Sequence, residues 1–201
     1  MLRSVFAFQC QYSSALFKRL GALAAVAFLT MNTQAMSINS PSIKIDFAQP
    51  EEIQNWIIVN DTVMGGRSAA RVEIEDDQLY FYGDLSLENN GGFASTRRVG
   101  APKTWSNQHN ISLTLKGDGR RYQFRLRTGR SWDGVAYVAN FETNSEQQTI
   151  VFSTADFTPQ WRGRLVTNAP DLDFTDIQQI GFMLADKQPG RFQLAVESIN
   201  Q

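Results

Sequence analysis

Residues 117–130, GDGRRYQFRLRTGR, decide the fold of this chain of 201 residues. Tyr122, Phe124 and Leu126 alternate with polar residues, so one face of the segment is apolar and the other is polar. A period of two residues is that of a β-strand with one face in a core. Glycine-containing turn sequences bound the segment on both sides. It therefore predicts an antiparallel strand whose arginines point away from the core.

Segments with strand-like alternation or composition lie on both sides of residues 117–130, and turn sequences separate them at roughly the spacing of an all-β sandwich. Helical turns are expected only in PEEIQNW (50–56) and TDIQQI (175–180), and EIEDDQ (73–78) is typical of an acidic turn. We therefore predict an all-β fold, an antiparallel β-sandwich that buries one face of each sheet. The further predicted strands lie in IKIDF (43–47), QLYFYGDL (78–85), HNISLTLKG (109–117), GVAYVANFET (134–143), QTIVFS (148–153), IQQIGFMLAD (177–186) and GRFQLAVESI (190–199).

The composition is that of a soluble globular domain, with 42% hydrophobic and 19% charged residues. The net charge of −1 offers no basic field for nucleic acid, and we expect none to bind. Cys10 is the one cysteine and His109 the one histidine, which excludes a disulfide framework and a histidine-rich metal site. We expect no metal and no cofactor.

The first part of the chain has the pattern of a targeting segment. Residues 1–45 contain no Asp or Glu, and a Lys-Arg pair precedes the apolar run LGALAAVAFLT (20–30). This run is too short to span a bilayer as a helix, and the pattern is typical of a secretory signal peptide. We expect removal of residues 1–35, leaving residues 36–201 as one exported, periplasmic domain without a stable membrane span. A mitochondrial presequence and a matrix location are the alternative, because the acid-free start contains Arg and Ser.

VNDTVMGGRS (59–68) is the first of two polar loops that contain paired glycines. Asn60 and Asp61 are expected to cap the backbone that follows them, and the glycines allow positive φ. As a binding loop, the segment would use Asp61 as an acceptor, Arg67 as a donor and Met64 as an adaptable apolar contact. A structured connection without a ligand is the alternative.

SLENNGGF is the second such loop. Asn89 and Asn90 can donate and accept hydrogen bonds at once, and the glycines let the backbone pass close to a neighbour. Glu88 is expected to pair with Arg97 or Arg98. Both loops are more elaborate than a hairpin needs. In the jelly roll that the family resemblance described below implies, we expect them to meet in space and form a rigid polar surface. That surface would brace the fold, recognise a partner, or do both.

Alternation along the opening segment places Arg121, Arg125 and Arg127 on the face away from the core. A solvated face is one interpretation, and a surface for an anionic partner or a sugar is the other. The segment FTPQWRGR adds Trp161 and Arg162, either as an exposed platform or with the tryptophan tucked over the end of the sandwich.

Enzyme motifs are missing from the sequence, which has no G-x-S-x-G, P-loop, H-E-x-x-H or G-x-G-x-x-G pattern. The adjacent pairs Asp76-Asp77 and Glu51-Glu52 fall in turn sequences and are expected to be solvated. His109 lies in the polar segment SNQHN. We expect no catalytic residue.

Five segments in order resemble the 30-kDa complex I intermediate-associated protein family: VNDTVMGGRS, GDLSLENNGGFASTRR, LKGDGRRYQFRLRT, FTPQWRGR and IGFMLADKQPGRFQLAVESI. The resemblance covers residues 43–201, and VMGGRS together with LENNGGFAS is specific for it. It implies a galactose-binding-like jelly-roll β-sandwich. For mitochondrial members it also implies assistance in building the membrane arm of NADH:ubiquinone oxidoreductase, by binding and without catalysis.

Two functions remain open from the sequence. The first is a monomeric, non-catalytic module that binds a protein partner in a respiratory or envelope complex. The second is an exported carbohydrate-binding module, and a signal peptide would favour it over assembly of complex I in the matrix. The candidate binding residues are Asn60, Asp61, Met64, Arg67, Glu88, Asn89, Asn90, Arg97, Arg125, Trp161 and Arg162.

Overall fold

The structure, a computed structural model, describes residues 44–201. These residues form thirteen β-strands and five short 3₁₀ helices. The expected targeting segment, residues 1–35, lies outside them. No helix within residues 44–201 is long and apolar enough to cross a membrane. The strands are β1 (Lys44–Ile45), β2 (Trp56–Ile58), β3 (Ala69–Glu75), β4 (Gln78–Leu85), β5 (Ala94–Val99), β6 (Ile111–Lys116), β7 (Arg121–Arg127), β8 (Ala136–Glu142), β9 (Gln148–Phe152), β10 (Thr158–Trp161), β11 (Arg164–Leu165), β12 (Gln179–Leu184) and β13 (Gly190–Asn200). The 3₁₀ helices are Glu52–Asn55, Asp61–Met64, Glu88–Asn90, Thr154–Asp156 and Phe174–Asp176.

The strands form two antiparallel sheets that pack face to face. The six-stranded sheet has the order β3-β4-β13-β6-β9, with β1 also paired to β13. The seven-stranded sheet has the order β11-β10-β8-β7-β12-β5-β2. The predicted all-β fold is confirmed, and the arrangement is a galactose-binding-like, jelly-roll β-sandwich.

Strand β7 shows how the alternation in the sequence builds the core. Tyr122, Phe124 and Leu126 are all 0% exposed. The ring of Phe124 lies 5.6 Å from that of Phe182 in the same sheet and 5.4 Å from that of Phe152 in the other. Large aromatic side chains contribute most to such a core. Their burial fixes the opposite face of β7, which carries the arginines, as the outside of the seven-stranded sheet.

Strand β3 includes most of the segment that we expected to be an acidic turn. Only Asp76 and Asp77 form the turn to β4, with φ values of 49° and 58°, and both are exposed as predicted. The strand was missed because it lies at the edge of its sheet. There Val72 and Ile74 are only partly buried, so the apolar alternation is weak.

Strand β5 also escaped prediction, for a different reason. Its side chains on the core side include Thr96 and Arg98, which are polar. Thr96 donates to the Ile57 carbonyl oxygen, and Arg98 forms an ion pair. An inner face satisfied by hydrogen bonds leaves no apolar pattern in the sequence.

The predicted solvation of Glu52 is wrong. PEEIQNW forms the expected helical turn, but the turn directs Glu52 inward, where it is 7% exposed. Its carboxylate accepts from Arg98 Nε at 2.6 Å, from Arg98 Nη2 at 2.9 Å and from Trp56 Nε1 at 2.9 Å. Its neighbour Glu51 is exposed, as predicted.

Candidate functional site

Both polar loops connect one sheet to the other. Residues 59–68 join β2 to β3, and residues 86–93 join β4 to β5; we call them the signature loops. They lie side by side, as the hydrogen bond from the Asp61 N–H to the Phe93 carbonyl oxygen at 3.2 Å shows. The two polar, glycine-containing loops therefore form one surface.

Asp61 is the residue that joins the signature loops. It is 0% exposed, and its carboxylate accepts from the Ser68 N–H at 2.9 Å and the Ser68 hydroxyl at 2.6 Å. From the second loop it accepts the Gly92 N–H at 2.7 Å and the Phe93 N–H at 3.3 Å. The expected capping by Asn60 does not occur, since its side chain makes no cap hydrogen bond. Asp61 bonds both to the backbone that follows it, at Ser68, and across to the second loop.

The glycines of the signature loops make room for this carboxylate. A Cβ atom at Gly66 or at Gly91 would overlap the Asp61 side chain. Burial by itself would raise the pKa of Asp61, but the hydrogen bonds from Ser68 and from the second loop outweigh it and hold the pKa below its ordinary value. The carboxylate is thus ionised and fully engaged in holding the loops together.

The outer surface of the signature loops carries further links between them. Arg67 pairs with Glu88 at 2.9 Å, and Asn89 donates to the Gly65 carbonyl oxygen at 3.2 Å. The expected pairing of Glu88 with Arg97 or Arg98 is wrong, because those arginines belong to β5 and bond to other groups. The Arg67–Glu88 pair is exposed and contributes little to stability.

Apolar side chains project from these braced loops into solvent. Val63 is 70% exposed, Met64 is 67% exposed and Leu87 is 42% exposed. Met64 was predicted as an apolar contact, whereas Val63 and Leu87 were overlooked, although both stand as apolar residues within the polar loop sequences. Apolar side chains on a rigid backbone are typical of a surface that meets another molecule.

A groove of about 1200 Å³ runs across the outer face of the seven-stranded sheet. Its floor comes from β5, β7 and β12, and the signature loops form one wall. Residues 132–134 and the turn from β10 to β11 form the other wall. Of the predicted site residues, the lining includes Asn60, Met64, Arg97, Arg125 and Arg162.

Three arginines on the floor, Arg97, Arg125 and Arg127, form what we call the arginine cluster. Strand register places Arg97 and Arg125 on either side of Gly181, so no side chain separates them. Adjacent strands lie about 4.8 Å apart, which puts the two Cα atoms roughly 10 Å from each other. Arg121 lies on the same outer face of β7, as predicted, but outside the groove lining. It is exposed and pairs with Glu142 at 3.5 Å.

The arginine cluster bonds only to neutral acceptors within the described residues. Arg97 Nη1 donates to the Trp132 carbonyl oxygen at 3.1 Å and to Gln179 Oε1 at 3.2 Å. Arg125 Nη1 donates to Gln123 Oε1 at 2.7 Å. Arg127 Nη1 donates to the Gly134 carbonyl oxygen at 2.7 Å.

Burial and mutual repulsion both act on this cluster. Burial, with the charge of Arg97 as the second cause, lowers the pKa of Arg125 to about 10. Burial and the charges of the other two arginines lower the pKa of Arg127 to about 10. All three guanidinium groups remain charged near neutral pH, at a cost in desolvation and repulsion.

The far wall of the groove is held by Asp133. Its carboxylate accepts from Trp161 Nε1 at 2.9 Å and from Arg162 Nη2 at 2.7 Å. Arg162 also lies over the Trp161 ring, 4.9 Å from its centroid, and Arg97 lies over the Trp132 ring at 5.3 Å. Trp161 ends β10 and is 43% exposed, so it is not tucked over the sandwich.

The structure divides the predicted site residues into groups. Asp61 is buried beneath the signature loops, and no group of three His, Cys, Asp or Glu in residues 44–201 is placed to hold a metal ion. Arg67, Glu88, Asn89 and Asn90 are exposed on the loops, outside the groove lining. Trp132 was missed in the sequence, where a tryptophan before Asp-Gly reads as part of a turn.

Comparison with known proteins identifies the family. The family model described as complex I intermediate-associated protein 30 matches residues 45–196. The chain belongs to this family. Among curated relatives, an uncharacterized protein of Schizosaccharomyces pombe is 28% identical over 177 residues, covering 76% of this chain and 81% of that protein.

A second relative carries the family's name. The mitochondrial complex I intermediate-associated protein 30 of Mus musculus is 28% identical over 177 residues, which is 76% of this chain. The match spans about half of that protein's length, 53%. The mouse protein is therefore considerably longer than the region shared with this member of the family.

Solved structures show the same fold in another class of protein. The family 11 carbohydrate-binding module of Clostridium thermocellum, solved with a β-1,3-1,4-mixed-linked tetrasaccharide, matches with a TM-score of 0.56 at 18% sequence identity. The match covers 79% of this chain and 94% of the module. At 18% identity, the similarity establishes only that this chain has the same fold as the carbohydrate-binding module.

Proposed function

We propose that this protein is a non-catalytic binding module that holds a protein partner against its signature loops during the assembly of respiratory complex I. The observation that carries the proposal is the set of exposed apolar side chains, Val63, Met64 and Leu87, on loops that Asp61 locks together. Rigid loops lose little conformational entropy on binding, and apolar anchors supply most of the affinity in protein interfaces.

Membership of the complex I intermediate-associated protein 30 family supports the assembly role. The mouse relative's name places that protein in mitochondria, which supports the mitochondrial alternative for this chain over export. A matrix location would bring the signature loops to the side of the membrane on which such a factor acts.

The test is to weaken the apolar contact without disturbing the fold. We expect the double substitution Val63→Ser and Met64→Ser to reduce recovery of complex I subunits at least about tenfold, because loss of buried interface anchors costs over 1 kcal/mol each. The measurement is quantitative affinity purification of the tagged full-length protein from mitochondria.

The matched control is Val151→Ser, which changes a valine that is 56% exposed on edge strand β9 of the other sheet. It should leave recovery unchanged. If the wild type, the double variant and the control all recover complex I subunits equally, the signature loops do not bind the partner.

A second candidate function, carbohydrate binding, is favoured by the groove across the seven-stranded sheet and by Trp132 in its lining, with Trp161 bonded to Asp133 of the same wall but outside the lining. Trp132 is 61% exposed and Trp161 is 43% exposed. The structurally similar module of Clostridium thermocellum was solved with a bound oligosaccharide. Aromatic faces and planar polar groups are the usual means of holding a sugar ring, which makes the groove the place to look.

If the groove binds sugar, Trp132→Ala should weaken that binding at least about tenfold, since this tryptophan lines the groove and tryptophan is among the most frequent hot-spot residues. Isothermal titration with mixed-linked β-glucan oligosaccharides would measure it, with thermal melting as a check on the fold. Absence of heat for the wild-type protein at millimolar sugar would count against this function and leave the first proposal standing.

A further inference from the structure

We propose that the arginine cluster receives a carboxylate from the partner, so that the groove binds an acidic segment of protein flanked by apolar residues. This inference rests on the proposed function, because it specifies the chemistry of the partner that the signature loops hold. The observation behind it is a cluster of half-buried arginines without an ion-pair partner, on the floor of a groove that has apolar side chains on one wall.

The charges in the groove stand out against the other arginines. Residues 44–201 contain five ion pairs, and they involve other arginines: Arg67, Arg98, Arg120, Arg121 and Arg162. The three arginines of the cluster have only amide, carbonyl and thioether acceptors within the described residues. The chain thus pairs its other partly buried arginines, Arg98 and Arg120, with carboxylates, and gives no ion-pair partner to the three on the groove floor.

Such an arrangement is unfavourable for the isolated fold. Like charges in a half-buried groove repel one another, and each loses hydration without gaining a counter-charge. A ligand that brings a carboxylate would relieve both costs at once. A planar guanidinium group forms two parallel hydrogen bonds to a carboxylate, which matches the fork of Arg125 or Arg97.

The walls of the groove favour a peptide over an acidic sugar. A sugar ring stacks on an open aromatic face, and Trp132, the tryptophan of the groove lining, already has the Arg97 guanidinium over one of its faces. The signature-loop wall offers Val63, Met64 and Leu87, which suit aliphatic side chains. Flexible methionine contacts are common on surfaces that accept peptides.

Apolar side chains of the signature loops and arginines of the floor line the same groove. Met64 and Leu87 lie in its lining together with Arg97 and Arg125. One extended segment therefore reaches both, with an apolar residue on the loops and an Asp or Glu over the floor. Its acidic residue and its apolar residue would be close together in the partner's sequence.

The experiment selects peptides from a random display library on the full-length protein and measures the recovered peptides by fluorescence anisotropy. We expect enrichment of Asp or Glu beside Leu, Ile, Val or Met. The leading peptide should bind about tenfold to a hundredfold more weakly to Arg125→Gln, because one charge-assisted contact is lost. The same loss should follow when its acidic residue is replaced by the neutral amide.

Two further variants separate binding from fold. Arg121→Gln removes a neighbouring arginine of β7 that lies outside the groove lining, and it should not change the affinity. Arg125→Lys keeps the charge but not the fork, and it should bind with intermediate affinity. The melting temperature of Arg125→Gln should stay at or above the wild-type value, since a half-buried charge without an ion-pair partner is removed, and that of Arg121→Gln should stay close to it, because its ion pair is exposed.

Selected peptides without acidic residues, or equal affinity for wild type and Arg125→Gln, would overturn the inference. Binding of polygalacturonate with no acidic peptide recovered would overturn it in favour of an acidic sugar. If Arg125→Gln still recovers complex I subunits while the Val63 and Met64 double variant does not, the proposed function stands and this inference falls.

Discussion

Replacing Asp61 with alanine is expected to lower the free energy of unfolding by about 3 kcal/mol. The carboxylate is 0% exposed and accepts four hydrogen bonds, two of them from the second signature loop. Without it, the N–H groups of Ser68 and Gly92 lose their acceptor inside the protein. Urea denaturation followed by tryptophan fluorescence measures the change.

A matched control for this variant is Asp171→Ala, at an exposed aspartate, which should shift stability by less than about 0.5 kcal/mol. Comparable losses for the two variants would mean that the loops do not depend on Asp61. The variant should also lose partner binding if the loops must be rigid to bind.

The same carboxylate gives this prediction a pH dependence. The pKa of Asp61 in the folded protein lies below the ordinary value of 3.8. Its contribution is therefore complete above about pH 4 and is lost as the pH falls through the folded-state pKa, because the unfolded chain takes up the proton first. Asp61→Asn should show a smaller loss of stability than the wild type across that acidic range.

Replacing Glu52 with alanine should be almost as damaging, at about 3 kcal/mol. Arg98 has 15% of its side chain exposed and would be left as an uncompensated charge against the core. Trp56 Nε1 would lose its acceptor as well. Equilibrium unfolding in urea again provides the measurement.

The neighbouring residue supplies the control for this second prediction. Glu51 precedes Glu52 in the same turn but is exposed, so Glu51→Ala should change the free energy of unfolding by less than about 0.5 kcal/mol. A stability loss of under 1 kcal/mol for Glu52→Ala would show that Arg98 finds another partner or water.

The parts of the fold that could be predicted are those in which burial alone decides the residue type. Strand β7 places aromatic and aliphatic residues inward at every second position, so its pattern is complete. Strand β5 directs Thr96 and Arg98 toward the core side, where hydrogen bonds satisfy them. Sequence periodicity records apolar burial and carries no signal for such a strand.

The site was predictable in composition but not in arrangement. Paired glycines marked both signature loops, although the sequence could not show that Asp61 would face inward and bond across them. The proximity of Arg97 and Arg125 depends on the strand order β5-β12-β7, with Gly181 between them. Those three strands are distant in the chain, so no local pattern reveals the cluster.

Strand β13 has a consequence for how the protein is made. This last strand along the chain lies at the centre of the six-stranded sheet, between β4 and β6, and it also pairs with β1. The sheet therefore cannot close while β13 is still on the ribosome or in a translocation channel. Contacts so distant in sequence form slowly, and until β13 has emerged the edges of β4 and β6 that it will cover stay unpaired.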